Sequence, residues 1–136
     1  MMCAPLILGN DIRSFIKEDG SVDTESKVYQ ILTNKDMIAI NQDSLGVQCK
    51  RIKFGLTDVL VKPLENSKAA VLVLNKGNKT INEKLDFGKI SNDSILNLPK
   101  KSSYNVYDVW EKRASENIST VSAEVPSHGV KVYIVE

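Results

Sequence analysis

TDVLVKPLENSKAAVLVLNKG, residues 57–77, sets two runs of β-branched and other apolar residues on either side of a polar hexapeptide. Valine and its relatives fit a pleated backbone, so each run reads as a strand. LENSKA (64–69) then reads as a hairpin connection, because Asn and Ser supply turn chemistry that a strand interior does not want. NKGNKT (75–80) reads as a second hairpin connection on the same grounds. Working outward, KTINEKLDFG (79–88), SSYNVYDVWEK (102–112) and HGVKVYIVE (128–136) repeat the theme at the spacing of an antiparallel sandwich. In the last run Val130, Val132 and Ile134 point one way and Lys131 and Tyr133 the other, the pattern of a half-buried strand.

Upstream of about residue 45 the organisation differs. KEDGSVD (17–23) is turn-rich, and in TESKVYQILTN (24–34) Val28, Ile31 and Leu32 share one helical face, with Asp23 placed as an N-cap. Residues 12–34 hold the only helical pattern; DMIAINQD (36–43) follows as a short apolar run closed by a polar turn. The first eleven residues, MMCAPLILGND, carry an apolar run with neither the basic leader nor the length of a secretory signal. It is also too short to cross a bilayer, which takes about 20 apolar residues, so Leu6, Ile7 and Leu8 are expected to lie against protein. An uninterrupted strand such as APLIL (4–8) is typical of a parallel sheet covered on both faces, yet this chain supplies no neighbouring βα units.

The composition narrows the classes of function. The chain has 136 residues, 42% of them hydrophobic and 26% charged, which suits one soluble domain with a real core. Eighteen basic and seventeen acidic residues leave a net charge of +1, so no basic field invites nucleic acid or an anionic membrane. Cys3 and Cys49 lack CxxC spacing and clustered histidine, which leaves buried free thiols or a single bridge. Nothing in the pattern calls for a metal or a cofactor.

Quoted together and in order, MMCAPLILGNDIR (1–13), ILTNKDMIAINQDSLGVQ (31–48), VLVKPL (59–64), AAVLVLNKG (69–77), YDVW (107–110) and VPSHGVKVYIV (125–135) carry a resemblance. The chain resembles the closing portion of the melibiase-type α-galactosidases, glycoside hydrolase family 27, over nearly all of its length, and the NQD-x-LG-x-Q block is its most specific part. The resemblance implies a mainly β chain: a C-terminal antiparallel β-sandwich domain, residues 47–136, preceded by the last strand-helix unit of a (β/α)₈ barrel. Residues 2–11 would be the last barrel strand, 24–34 the last barrel helix and 35–46 the connector. Met1 would then be an internal methionine at the end of the preceding barrel helix.

The resemblance also implies an enzyme that hydrolyses terminal α-D-galactosides with retention, using two carboxylates about 5 to 5.5 Å apart. In the family both are aspartates on central barrel strands, the nucleophile in a K-x-D context, and no residue of this chain matches those motifs. The chain alone is therefore expected to lack the catalytic pair. Its partners would be an α-galactoside in the complete enzyme, and a separate barrel chain or a second copy. The alternative is a non-catalytic β module that binds carbohydrate or docks on a barrel chain. A secreted or lysosome-like location would follow only from a signal peptide on the parent enzyme.

Among local residues, Asn10 and Asp11 sit where the last barrel strand would open onto the face that carries barrel active sites, and so are candidates for the border of a substrate pocket; capping their own turn is the simpler role. Asp43 is expected to hold the interdomain turn rather than act as a second carboxylate. His128, between Pro126 and Gly129, is expected to be a turn residue. Trp110, Tyr104 and Tyr107 are read as core before any sugar-stacking platform. Sequons at Asn78, Asn92 and Asn117 are candidate glycosylation sites on turns or strand edges.

Overall fold

The structure is a computed structural model that describes every residue except Met2, Ile95 and Asn97. Its strands are β1 (Lys50–Lys53), β2 (Thr57–Leu64), β3 (Lys68–Asn75), β4 (Ile81–Asp86), β5 (Tyr104–Asp108), β6 (Arg113–Ile118), β7 (Thr120–Val125) and β8 (Val130–Val135). Three short helices, α1 (Lys27–Leu32), α2 (Lys35–Asn41) and α3 (Phe87–Ile90), and a 3₁₀ turn at Ile12–Phe15 complete it. All strand pairing is antiparallel. One sheet has the order β1-β2-β3-β8-β5-β6, and β4 and β7 form a second, two-stranded sheet.

The strands read from sequence in residues 57–136 are present, and the chain is mainly β with an antiparallel sandwich, as its apolar alternation required. LENSKA is the β2–β3 hairpin, with Asn66 and Ser67 both at φ 58°, a region such short polar residues tolerate. NKGNKT is not a hairpin: β3 belongs to the large sheet and β4 to the small one, so this connection crosses between layers. The crossing is organised by Asn75, fully buried, whose side-chain nitrogen donates to the carbonyls of Lys79, Val125 and Pro126 at 2.8, 3.1 and 2.9 Å. Its side-chain oxygen accepts from the Gly77 backbone N–H at 2.9 Å.

The large sheet buries both faces. On the inner face Val59, Val61, Val71, Val73, Val106 and Val135 meet Leu85, Phe87, Ala123 and Val125 from the other layer. On the outer face Leu64, Ala70, Val109 and Val132 are covered by Ile40 of α2, with Met1 and Met37 beside it. Full burial of each of the Val, Leu, Ile, Phe and Met side chains contributes about 1.5–3 kcal/mol. β8 is therefore a central strand covered on both sides rather than a half-buried one: Val132 and Val135 are fully buried and Tyr133 is 6% exposed. Alternation alone could not reveal the second cover, because α2 is supplied by a segment that reads as a loop-like apolar run.

The N-terminal segment departs further from expectation. Residues 3–9 join no strand ladder, and Met2 lies outside the described residues. A lone extended segment cannot satisfy its backbone donors and acceptors by pairing, and no other described strand lies beside it. It is held by single contacts, Asn41 Nδ2 donating to the Ala4 carbonyl at 2.8 Å and Cys49 N–H to the Met1 carbonyl at 3.0 Å. The expected helix over 24–34 shrinks to α1, begun at Ser26; Asp23 instead accepts from the Glu25 N–H at 3.1 Å, one turn too early to cap it. DMIAINQD contributes most of a second helix, α2, whose N-cap Asn34 accepts from Asp36 and Met37 N–H at 3.1 Å each.

Candidate functional site

The end of the N-terminal segment is where sequence reasoning placed a pocket border. Asn10 lines an open groove of about 610 Å³ together with Leu6, Ile7, Leu8, Ile31 and Met37. Leu6, Ile7 and Leu8 are 58, 88 and 59% exposed, so the expected cover over them is absent from the described residues. An apolar groove of that kind offers contact area and no convergent acid-base chemistry.

Asp11 does not face the groove's lining. It caps the 3₁₀ turn by accepting from the Arg13 N–H at 3.0 Å and pairs with the Arg13 guanidinium at 2.7 Å. The hydrogen bonds from Arg13 hold its carboxyl below the ordinary carboxylate value. A carboxylate so lowered is a poor general acid at neutral pH, and both groups are exposed.

Asp43 is engaged with backbone. Its two carboxylate oxygens accept from the Glu65 N–H at 3.1 Å each, and Oδ1 also accepts from the Leu45 N–H at 3.1 Å. These bonds tie the end of α2 to the β2–β3 hairpin and leave Asp43 and Asp11 in separate structural roles. His128 occupies a turn at φ 54°, with Nε2 3.0 Å from Asn78 Oδ1 on the surface. Asn78, Asn92 and Asn117 are all exposed, which is the placement a glycan acceptor requires. Cys3 and Cys49 are free and half-buried; Cys3 Sγ donates to the Val47 carbonyl at 3.1 Å.

The aromatic residues divide. Tyr104 is core, 2% exposed, with its hydroxyl donating to the Pro99 carbonyl at 2.9 Å. Tyr107 is half-buried and donates to Asp36 of α2 at 3.2 Å, pinning the helix to the sheet. Trp110 is half-buried beside α1, in a shallow cleft with Gln30 and Asn34. Among the described residues no group of three or more His, Cys, Asp or Glu is arranged to hold a metal ion. No helix of the described residues is long and apolar enough to cross a membrane.

Sequence reasoning passed over a second concavity, on the inner face of the large sheet, where Asp108, Glu111, Arg113, Lys131 and Tyr133 converge from β5, β6, β8 and the β5–β6 turn. No motif marks it, because its members are separated by strand pairing and not by a fixed spacing along the chain.

Comparison with known proteins gives one family. The model of the α-galactosidase C-terminal β-sandwich domain matches residues 54–135. The chain is similar to α-galactosidase A of Cellvibrio japonicus, 33% identical over 138 aligned positions, which take in 96% of this chain and 31% of that protein. It is also similar to the α-galactosidase of Coffea arabica, 33% identical, over 97% of this chain and 32% of that one. Among solved structures, α-galactosidase I of Mortierella vinacea superposes with a TM-score of 0.77 at 29% identity, covering 98% of this chain and 32% of that chain. The chain thus spans about a third of the length of the relatives it matches.

Proposed function

The chain belongs to the family of α-galactosidase C-terminal β-sandwich domains, and from that premise we propose that it works as the closing third of a retaining α-galactosidase, with the catalytic carboxylates supplied by barrel strands outside these 136 residues. Residues 1–46 contribute the terminal βα unit and connector, and 47–136 the β domain. The observation that carries the reading is the extent of the likeness: it runs through the N-terminal segment as well as the sandwich, over 96% of the chain.

Two features support it. The exposed apolar groove formed by Leu6, Ile7, Leu8 and Ile31 is the surface a parallel barrel strand and its helix would bury against neighbouring βα units. The two aspartates that could be suspected of catalysis, Asp11 and Asp43, are engaged with Arg13 and with backbone N–H groups. A retaining mechanism asks for two carboxyl groups facing each other across a glycosidic bond, one of them with a raised pKa.

The test is release of p-nitrophenol from p-nitrophenyl α-D-galactoside. The chain alone is expected to show no turnover above buffer. Co-expressed with the barrel portion of the Cellvibrio japonicus enzyme lacking its own last third, it is expected to restore turnover that neither piece shows alone. Turnover by the purified chain that is lost in Asp11→Asn or Asp43→Asn would place catalysis here and overturn the proposal. Failure to restore turnover while the two pieces bind each other, with an intact barrel-plus-sandwich control active, would favour the non-catalytic module instead.

A further inference from the structure

The small sheet stops at β7 while the large sheet continues past β8 to β5 and β6. The inner face of the β5–β6 hairpin is therefore left without a facing strand, and the gap forms a cleft of about 420 Å³ whose floor is Val106 and Tyr133 and whose wall is the outer side of β7. That volume lies within the range of roughly 300–1,000 Å³ typical of small-ligand sites. The cleft opens on the face of the large sheet opposite the one that α2 and Met1 cover.

Four of its five charged residues are joined in one network. Asp108, 6% exposed, accepts from the Trp110 and Glu111 N–H groups at 2.9 Å each and from Lys131 Nζ at 3.3 Å. Lys131 also pairs with Glu111, which in turn meets Arg113 at 3.1 Å. An anionic ligand would have to compete with one of these pairs.

Three hydroxyls and the Glu124 carboxylate are the groups left open. Tyr133 is 6% exposed, lines the cleft, and among the described residues its hydroxyl bonds to no protein group. Burial, with the Asp108 charge adding to it, pushes its pKa above the ordinary phenol value, so at neutral pH the hydroxyl is a hydrogen-bond donor. The side chains of Ser115 and Ser122 and the carboxylate of Glu124 line the same cleft and have no described partner. The Tyr133 hydroxyl is not among the buried polar atoms without a partner, so it is open to the solvent and to a ligand.

We propose that this cleft binds an uncharged saccharide of one or two residues, whose hydroxyls meet the Tyr133, Ser115 and Ser122 hydroxyls and the Glu124 carboxylate over the Val106 floor. Hydroxyl-rich ligands suit a site that presents several single donors and acceptors side by side. The site does not depend on the barrel reading, since every residue named belongs to the sandwich.

The experiment is a titration of the 136-residue chain, ¹⁵N-labelled, with melibiose, galactose and glucose, followed by amide shifts. Saturable shifts confined to β5–β8 are expected, with a dissociation constant on the order of millimolar, as a few solvent-competed hydrogen bonds allow. Tyr133→Phe, which removes one hydroxyl, is expected to weaken binding about five- to tenfold. Glu124→Gln, on an exposed side chain, tests the same cleft without touching the core and is expected to weaken it several-fold. Absence of saturation with all three sugars overturns the proposal, as do shifts centred on Trp110 and α1 or affinity unchanged in both variants. Failure of the barrel complementation leaves it standing, so the two readings fall separately.

Discussion

Lys62 and Asn75 are both fully buried polar residues in one hairpin, and their circumstances are opposite. Asn75 has all its donors and its acceptor engaged and joins the two layers. Lys62 alternates onto the outer face of β2, opposite Ala70, and its Nζ has no hydrogen-bond partner among the described residues. A buried ammonium without a partner costs stability that an apolar side chain of similar volume does not. Lys62→Met is therefore expected to stabilise the chain by about 1–3 kcal/mol in urea unfolding. Equal or lower stability of the variant would show that the ammonium is compensated. Nothing in the sequence separates the two residues, since Lys in the middle of VLVKPL reads as an outward-pointing polar position.

At the scale of elements, β2, β3, β4, β5 and β8 were legible because their apolar residues alternate or run together. β1, β6 and β7 were missed: KRIK and RASENI are largely exposed and polar and form because a neighbour offers a ladder, whereas TVSAEV turns Val121, Ala123 and Val125 to the core, an alternation that sequence reasoning passed over. The edge at β1 is fastened by charge. Asp58, 4% exposed at the start of β2, meets Lys76 at 3.1 Å and Arg51 of β1 at 3.8 Å and accepts from the Gly55 N–H at 3.1 Å. The hydrogen bond from Lys76, with smaller help from Gly55 and Arg51, holds its carboxyl below 3.8, the ordinary value. A pKa lower in the folded than in the unfolded chain means stability that is full above the unfolded value and is lost as the pH falls through the folded one. Asp58→Asn removes that loss. The drop in urea midpoint between about pH 7 and about pH 3 is thus expected to be smaller in the variant than in the parent, and an equal drop would show that Asp58 does not set the acid limb.

For the whole molecule, the balance lies between a sandwich with two covered faces and an N-terminal segment with little cover. Residues 4–14 are exposed throughout, whereas Ile40 of α2 is 2% exposed and belongs to the outer core. Exposed apolar strands invite association between chains. Removal of residues 1–34, which spares α2, is expected to raise solubility and to lower binding of a hydrophobic dye; a truncated chain that aggregates more than the parent would reverse that view. The same argument explains why the groove beside Asn10 is apolar, and why the candidate border residues Asn10 and Asp11 came to no shared site: Asp11 turns away to Arg13.

By itself the sequence determined the class of fold, the five apolar strands, the hairpin at residues 64–69 and, through its ordered motifs, the family, because apolar periodicity and turn chemistry act over a few residues and survive without knowledge of neighbours. The tertiary structure alone decided which strands share a sheet, that residues 75–80 cross between layers, that β8 is covered on both faces and that Asp108, Glu111, Lys131 and Tyr133 line one cleft. Those facts depend on pairing between residues far apart in the chain, as in the bond from Asn75 to Val125 and the register of Ala69 with Val135, and no local pattern encodes a partner at that distance.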